Sequence, residues 1–326
     1  MRVLITGANG FVGQSLIPYL LKKGHEVVAC TRNFQSLAAF ETHSKFQIKT
    51  IAPIEQVTES EWVAALQDVD AVVHLAARVH VMKEAAADAL EEYRKVNVEG
   101  TRHLANACVL AGVRRFVYLS SIKVNGEQTQ AKPFSEEDQP APQDPYGFSK
   151  HEAEEVLREI ASRSKLEVGI VRPPLIYGPK VRANFLHLLN AVDRHWPLPF
   201  GSVKGNKRSL LHIENLVSAI EKILTAPPFK FEVFLVADNE APSTLELVQV
   251  MKHSLKSKSI LVPVPVSALK SLACVTRKIP QMDRLTGSLE VSNQKLKKFA
   301  NWTPPYSLKQ GMDHTAEWYK SEKKSI

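Results

Sequence analysis

Cysteine is scarce in this chain of 326 residues: there are three, Cys30, Cys108 and Cys274, odd in number and far apart. That excludes a disulfide framework and a cysteine-based metal knuckle, and it fits a reducing cytoplasm. No apolar run is long enough to span a bilayer, so membrane insertion is not expected. Nothing resembles a signal peptide, because the first residues lead straight into an apolar strand; a cytoplasmic location is expected. The net charge of +8 comes with no basic tract interleaved with aromatics. It suits a small anionic ligand and gives no footprint for nucleic acid. The cluster Lys204-Gly-Asn-Lys-Arg208 reads as a loop and the lysine-rich tail, residues 320–324, as a solvated terminus. No second ligand stands at metal spacing from His212, which reads as structural, and no metal is expected. There is no internal repeat or low-complexity segment. Length and composition fit one large globular domain, or a nucleotide-binding domain with a smaller one.

What the chain does have is an organised beginning. An apolar strand over residues 2–6 runs into Gly7, Gly10 and Gly13, spaced by three, with a helix starting near Gly10. A helix N-terminus presents unpaired N–H groups and the positive end of a dipole, which suit a pyrophosphate. Glycines allow the tight turn and the close approach of backbone to ligand. A glycine-rich turn without a ligand is the plainer reading, and the choice depends on whether strand and helix go on alternating. They do. Residues 11–23 form a helix closed by Gly24, with Pro18 inside it expected to kink or shorten it. Strands are expected over 25–32, 46–51, 70–77, 115–120 and 167–172, and helices over 85–111 and 146–163. This is the α/β pattern of a doubly wound parallel sheet. Beyond Pro173 the pattern loosens into a smaller C-terminal lobe, with a helix near 183–194 and short strands near 231–237 and 259–264. The expected division is residues 1–172, completed by segments around 207–240, and a substrate-binding lobe drawn mainly from 173–326. Residues 269–275 are apolar; a membrane-surface role is one reading, and a packed lobe helix is the plainer one.

Tyr146 and Lys150 stand four apart at a helix start marked by Asp144 and Pro145, which puts both on one face. An ammonium beside a phenol favours the phenolate, so the tyrosine is expected to have a lowered pKa and to exchange a proton with a sugar hydroxyl or carbonyl. Lys150 can also donate to a cofactor ribose. Ser121, at the end of the fifth strand, can hold the reacting oxygen.

With these motifs in hand, the chain resembles the extended short-chain dehydrogenases/reductases of the nucleotide-sugar epimerase/dehydratase group. The resemblance rests on Thr6-Gly-Ala-Asn-Gly-Phe-Val-Gly13, His74-Leu-Ala-Ala77, Val96-Asn-Val-Glu-Gly-Thr101, Ser120-Ser-Ile-Lys-Val-Asn-Gly126, Tyr146-Gly-Phe-Ser-Lys150 and Arg172-Pro-Pro-Leu-Ile-Tyr-Gly-Pro179. It implies a Rossmann-type fold, catalytic Ser121, Tyr146 and Lys150, and a dinucleotide held by Gly7, Gly10, Phe11, Val12, Gly13, Arg32, Leu75, Ala76, Ala77, Asn97, Tyr146, Lys150 and Pro173. It maps the nucleotide-binding arginine onto Arg208, for which a surface loop arginine is the plainer reading. It also offers Asn184, Phe200 and Arg284 as weaker substrate contacts. Arg78 and His80 face either the sugar or solvent. A homodimer is the family's usual state.

Three departures shape the expected chemistry. The second strand ends Ala29-Cys-Thr-Arg-Asn33, without the carboxylate that receives ribose hydroxyls in NAD-binding relatives. Arg32 can pair with a 2′-phosphate or stack on adenine, so NADP is expected, with NAD the alternative. The aspartate often found after the third strand is absent from Ile51-Ala-Pro-Ile54. Ile122-Lys123 stands where related dehydratases carry Asp-Glu, so a dehydratase is disfavoured. The leading expectation is a 4-ketoreductase of a UDP-4-keto-6-deoxy-hexosamine, to which Arg78-Val-His-Val-Met82 adds a weak cue. The alternative is a UDP-sugar 4-epimerase. A hydroxysteroid- or flavonoid-type reductase is a further runner-up, and a non-catalytic NADP-sensing protein is more remote.

Overall fold

Seven parallel strands with helices on both faces form the body of the molecule. The structure, a computed structural model, describes residues 1–79, 86–276 and 279–324. The apolar β1 (Arg2–Thr6) turns at the glycines into α1 (Phe11–Lys22). Pro18 lies inside this helix without ending it. The helix stops where Gly24 adopts φ +85°, its N–H bonding Leu21 and that of His25 reaching Leu20. Next come β2 (Glu26–Thr31), β3 (Phe46–Thr50), α2 (Glu59–Ala65) and β4 (Ala71–His74). They are followed by α3 (Ala86–Arg94) and, across one π turn at Lys95–Glu99, by α4 (Gly100–Leu110). Then β5 (Arg115–Leu119), α5 (Pro145–Arg163) and β6 (Glu167–Arg172) repeat the alternation.

The chain next leaves the sheet through β7 (Leu175–Tyr177), α6 (Ala183–Asp193) and β8 (Leu210–His212). It returns by α7 (Ile213–Thr225) to β9 (Phe231–Leu235), which pairs with β6 as the last strand of the main sheet. The rest is helical: α8 (Thr244–Leu255), α9 (Val266–Val275), α10 (Ile279–Thr286), α11 (Gln294–Ala300) and α12 (Leu308–Lys324). The expected strand over 259–264 is not one. Only Leu261 makes a ladder contact, with Leu198, because the facing segment is a loop that leaves no second strand to pair with.

Strand order is β3-β2-β1-β4-β5-β6-β9, every pair parallel, so the direction of winding reverses between β1 and β4. In open sheets of this kind ligands bind beyond the strand C-termini at that reversal. Both faces are covered, which is why the central strands β1, β4, β5 and β6 are mostly apolar and buried, while the edge strand β3 is mixed and only partly buried. One face packs α2, α4 and α5 around residues such as Trp62, Leu104, Phe116 and Leu157; the other packs α1 and α7 around Leu16, Ile17, Ile220 and Phe234. A separate core built on Tyr177, Leu189, Val248, Met251 and Met312 defines the C-terminal lobe. The buried guanidinium of Arg115 ties β5 to the end of α7, donating to the carbonyls of Ile223, Leu224 and Ala226 at 2.8–2.9 Å.

A Cβ on Gly13 would fall within 2.7 Å of the Ala8 backbone, which cannot yield as a flexible side chain can. Gly13→Ala is therefore expected to lower stability by about 1–3 kcal/mol, as overpacking does. Urea unfolding followed by circular dichroism measures it, and an unchanged midpoint would contradict the close approach of α1 to β1.

Candidate functional site

The ends of β1, β2, β4, β5 and β6, with the N-terminus of α5, enclose a cavity of about 600 Å³. Its floor is the glycine turn. Gly7 holds φ +65°, and a Cβ there would meet Ala76 N at 2.8 Å, so the turn lies directly against the segment after β4. Gly10 precedes α1 without any side-chain cap. The first-turn N–H groups of Phe11, Val12 and Gly13 are thus left for something outside the helix, and all three residues line the cavity. A diphosphate fits that cradle, and a dinucleotide fits the space that runs from Arg32 on one side to Tyr146 on the other.

Local sequence explains how the opposite wall is set. Asp144 caps α5, its Oδ1 accepting from Gly147 N at 2.7 Å, and Pro145 occupies the first turn. One turn later, Lys150 is buried and donates from Nζ to Leu119 O at 2.9 Å. Its Nζ stands 4.5 Å from the Tyr118 ring centre and 5.8 Å from that of Tyr146. Ser121 lies two residues past β5, in extended backbone, its Oγ accepting from Lys123 N at 3.3 Å. Ser121, Tyr146 and Lys150 all line the cavity, as do Arg32, Leu75, Ala76, Ala77 and Pro173.

The electrostatics differ from the sequence expectation. Tyr146 is not depressed by its lysine. Burial pushes the phenol well above its usual range, with Asp144 and Tyr93 adding to the rise. Lys150 is buried too: desolvation brings its ammonium down to about 7, opposed by the charge of Glu154. His74 is held near 3 by burial and then by Lys150, so it is a neutral bridge between Thr6 Oγ1 (2.6 Å) and Thr101 Oγ1 (3.0 Å).

Behind the cavity wall lies a buried network that the motif reading passes over. Glu154, four residues after Lys150, receives the Ser120 hydroxyl and the Arg172 guanidinium, and Arg172 also donates to Asn125 Oδ1 at 2.9 Å. It joins the ends of β5 and β6 to α5. Its sequence signal is the i, i+4 spacing from Lys150, which places Glu154 on the same buried helix face. Asn97, in the π turn, does not line the cavity. It brackets Arg78 instead, accepting from its N–H at 2.8 Å and donating to its carbonyl at 3.1 Å, and so fixes the segment after β4. Unanticipated lining residues are Asn9, Thr31, Val96, Ser120, Ile176 and Glu55. Glu55 puts a carboxylate just beyond the Ile51–Ile54 stretch where none was expected.

The substrate-side candidates are more dispersed. Arg208 is half-buried and outside the cavity lining; its Nη1 donates to Gly287 O at 3.5 Å, and burial lowers its pKa, with Glu127 raising and Arg284 lowering it further. Phe200 is packed in the lobe core, and Asn184 is exposed at the start of α6. Arg78 lines the cavity, its guanidinium 6.0 Å from the Tyr93 ring centre, while His80 lies outside the described residues. Ile122 is buried and Lys123 is engaged by Glu127 at 2.7 Å and by Asp144. His212 is buried among Tyr177, Tyr306 and His314. Among the described residues no group of three or more His, Cys, Asp or Glu can hold a metal, and no helix is long and apolar enough to cross a membrane.

A profile described as "NAD dependent epimerase/dehydratase family" matches residues 3–237. The chain belongs to this family. It is an NAD-dependent enzyme of the epimerase/dehydratase type. A UDP-glucose 4-epimerase of Vibrio cholerae is 41% identical to this family member over 320 residues, 97% of this chain and 94% of that one. An N-acetyl-alpha-D-glucosaminyl-diphospho-ditrans,octacis-undecaprenol 4-epimerase of Escherichia coli O157:H7 is 28% identical, over 97% and 95% of the two chains. The structure of a Bacillus cereus UDP-glucuronic acid 4-epimerase in complex with NAD aligns with a TM-score of 0.79 at 22% identity, covering 99% of each chain. That likeness establishes the fold.

The buried ammonium gives a sign that can be tested. Lys150 sits at about 7 in the folded chain against an ordinary 10.5, so between those values the unfolded chain binds the extra proton and stability rises with pH. Below 7 the whole penalty of burying the charge is present. Lys150→Met in this epimerase-family enzyme is therefore expected to melt at the same or a higher temperature than the parent at pH 7. The difference should shrink toward pH 10, while turnover falls by about 10²-fold or more. Scanning calorimetry across pH decides it; a variant melting lower than the parent at pH 7 contradicts the burial argument.

Proposed function

We propose that the protein is a UDP-sugar 4-epimerase using a tightly held NAD(P), and that this reading, the second of the two sequence expectations, replaces the 4-ketoreductase. The observation that carries it is the single cavity in which the glycine turn faces Ser121, Tyr146 and Lys150. The relative that is 41% identical along nearly the whole chain, itself a UDP-glucose 4-epimerase, favours the epimerase over the reductase.

The division of labour follows from the geometry. The dinucleotide, when bound, supplies a reversible hydride acceptor at its nicotinamide. Phe11, Val12 and Gly13 hold its diphosphate by backbone N–H groups. Tyr146 takes the proton from the sugar 4-hydroxyl and returns it to the 4-keto oxygen, and Ser121 holds that oxygen by a hydrogen bond. Lys150 donates to the ribose beside the nicotinamide. Arg208, backed by Arg284, meets the sugar-nucleotide diphosphate, a pairing in which a guanidinium makes two charge-assisted bonds. Lys123, tied up in ion pairs, cannot serve as the acid/base that water elimination needs. Because the sugar ends at its starting oxidation level, no exchangeable cofactor is consumed. The exposed Leu110 and Val109 on α4 and Phe148 on α5 support a homodimer through these helices.

Purified protein is expected to release NAD or NADP on denaturation and to interconvert UDP-glucose and UDP-galactose, or their N-acetylhexosamine counterparts, without added cofactor. NADPH consumption confined to a UDP-4-keto-6-deoxy sugar would restore the reductase reading. Tyr146→Phe should lose about 10²-fold or more in turnover with dinucleotide affinity nearly unchanged; activity within tenfold of the parent removes Tyr146 from its role. Arg32, exposed at the cavity edge, sets tolerance for a 2′-phosphate. Titrations of Arg32→Glu should show NADP weakened far more than NAD, and equal losses refute that assignment.

A further inference from the structure

One surface of the C-terminal lobe has no part in the chemistry above. Residues 247–282 contain no Asp or Glu and six basic residues: Lys252, Lys256, Lys258, Lys270, Arg277 and Lys278. This ninth of the chain carries a charge of +6, against +8 for the whole protein. The same stretch exposes large apolar side chains. On α9, Leu269 and Ala273 face the lobe, whereas Ala268, Leu272 and Val275, spaced four and three apart, form an outward stripe. Leu272 is 61% exposed and Val275 82%. The helix is therefore not the fully packed lobe element its apolar composition implies.

Next to it in sequence, Ile260 is 67% exposed, and Trp196, at 54%, is brought alongside by the pairing of Leu198 with Leu261. Basic groups flank these side chains: the guanidinium of Arg194 lies 5.6 Å from the Trp196 ring centre, His195 bonds Ser257 at 2.8 Å, and Lys256 and Lys258 are exposed. Lys270 has a distant partner, Asp283, at 3.9 Å.

We infer that this surface docks the enzyme peripherally on a membrane bearing anionic lipid. Exposed aliphatic and indole side chains in a stretch that also carries exposed lysines are the composition of an interfacial element: apolar groups enter the acyl boundary and ammonium groups meet lipid phosphates. A second copy of the chain fits less well, because a two-fold contact would set one lysine-rich stretch against another. The interaction is separate from turnover, since neither Leu272, Val275, Lys256 nor Lys258 lines the cavity.

The test is co-sedimentation of the full-length protein with vesicles of phosphatidylcholine alone and with 30% phosphatidylglycerol. Binding is expected only to the anionic vesicles, and it should weaken as salt rises. It should fall at least about fivefold for each lysine reversed in Lys256→Glu/Lys258→Glu. In Leu272→Gln/Val275→Gln it should drop to background, with UDP-sugar turnover of both variants matching the parent. Absence of binding to anionic vesicles at low salt overturns the inference, as does equal binding of parent and variants. So does an oligomer, followed by analytical ultracentrifugation, that Leu272→Gln/Val275→Gln dissolves.

Discussion

Everything in the site depends on how closely three backbone segments approach one another at the winding reversal of the sheet. Gly7 leaves no room between the end of β1 and Ala76, and Gly13 leaves none between α1 and Ala8. A side chain at either position would push α1 away from the sheet, and with it the unpaired N–H groups and the positive end of the helix dipole. His74 secures the same junction from below by bridging Thr6 to Thr101, and Thr6 Oγ1 accepts in turn from Ala76 N at 3.2 Å. Asn97 then fixes Arg78 from the π turn, an irregularity of the kind found where helices serve a site. The cradle is thus made of backbone, and side chains only lock it.

The opposite wall is held by charge. Glu154 and Arg172 are both buried, so each is tolerable only because the other, with Ser120 and Asn125, satisfies it. Removing one partner of such a pair leaves an uncompensated charge in the interior, which is why the network also fixes register, tying the ends of β5 and β6 to the third turn of α5. Lys150 stands one turn earlier on the same helix. Its Nζ position is therefore inherited from a network one helical turn away, and so is the moderating effect of Glu154 on its charge.

Much of this was legible in the residues alone, for reasons that also explain the failures. The alternation of buried strands and amphipathic helices carries the parallel sheet, and Asp144-Pro145 marks the start of α5 because capping is a local interaction. Thr58 and Glu61 form a capping box for α2 that an apolar count overlooks. The stretch 259–264 has the composition of a strand, but a strand exists only where a partner lies beside it, and partners are a property of the tertiary fold. Glu154 and Arg172 are 18 residues apart and unremarkable as letters; only the sheet brings them together. The direction of the Tyr146 shift failed in the same way. Spacing shows that a lysine is near, and only burial shows that phenol and ammonium are both desolvated.

That last point bears on how the phenol is activated. Around Tyr146 the protein offers Lys150 poised near 7, a neutral His74, and a Glu154 already balanced by Arg172. Asp144, the nearest carboxylate on the same helix, acts against ionisation. The protein's own charges therefore keep the proton on the phenol, and burial strengthens that preference. On the proposed reading, a bound oxidised nicotinamide would add a positive charge and its ribose would offer the Lys150 ammonium a hydrogen-bond partner, so the groups able to weaken the preference would come from the ligand.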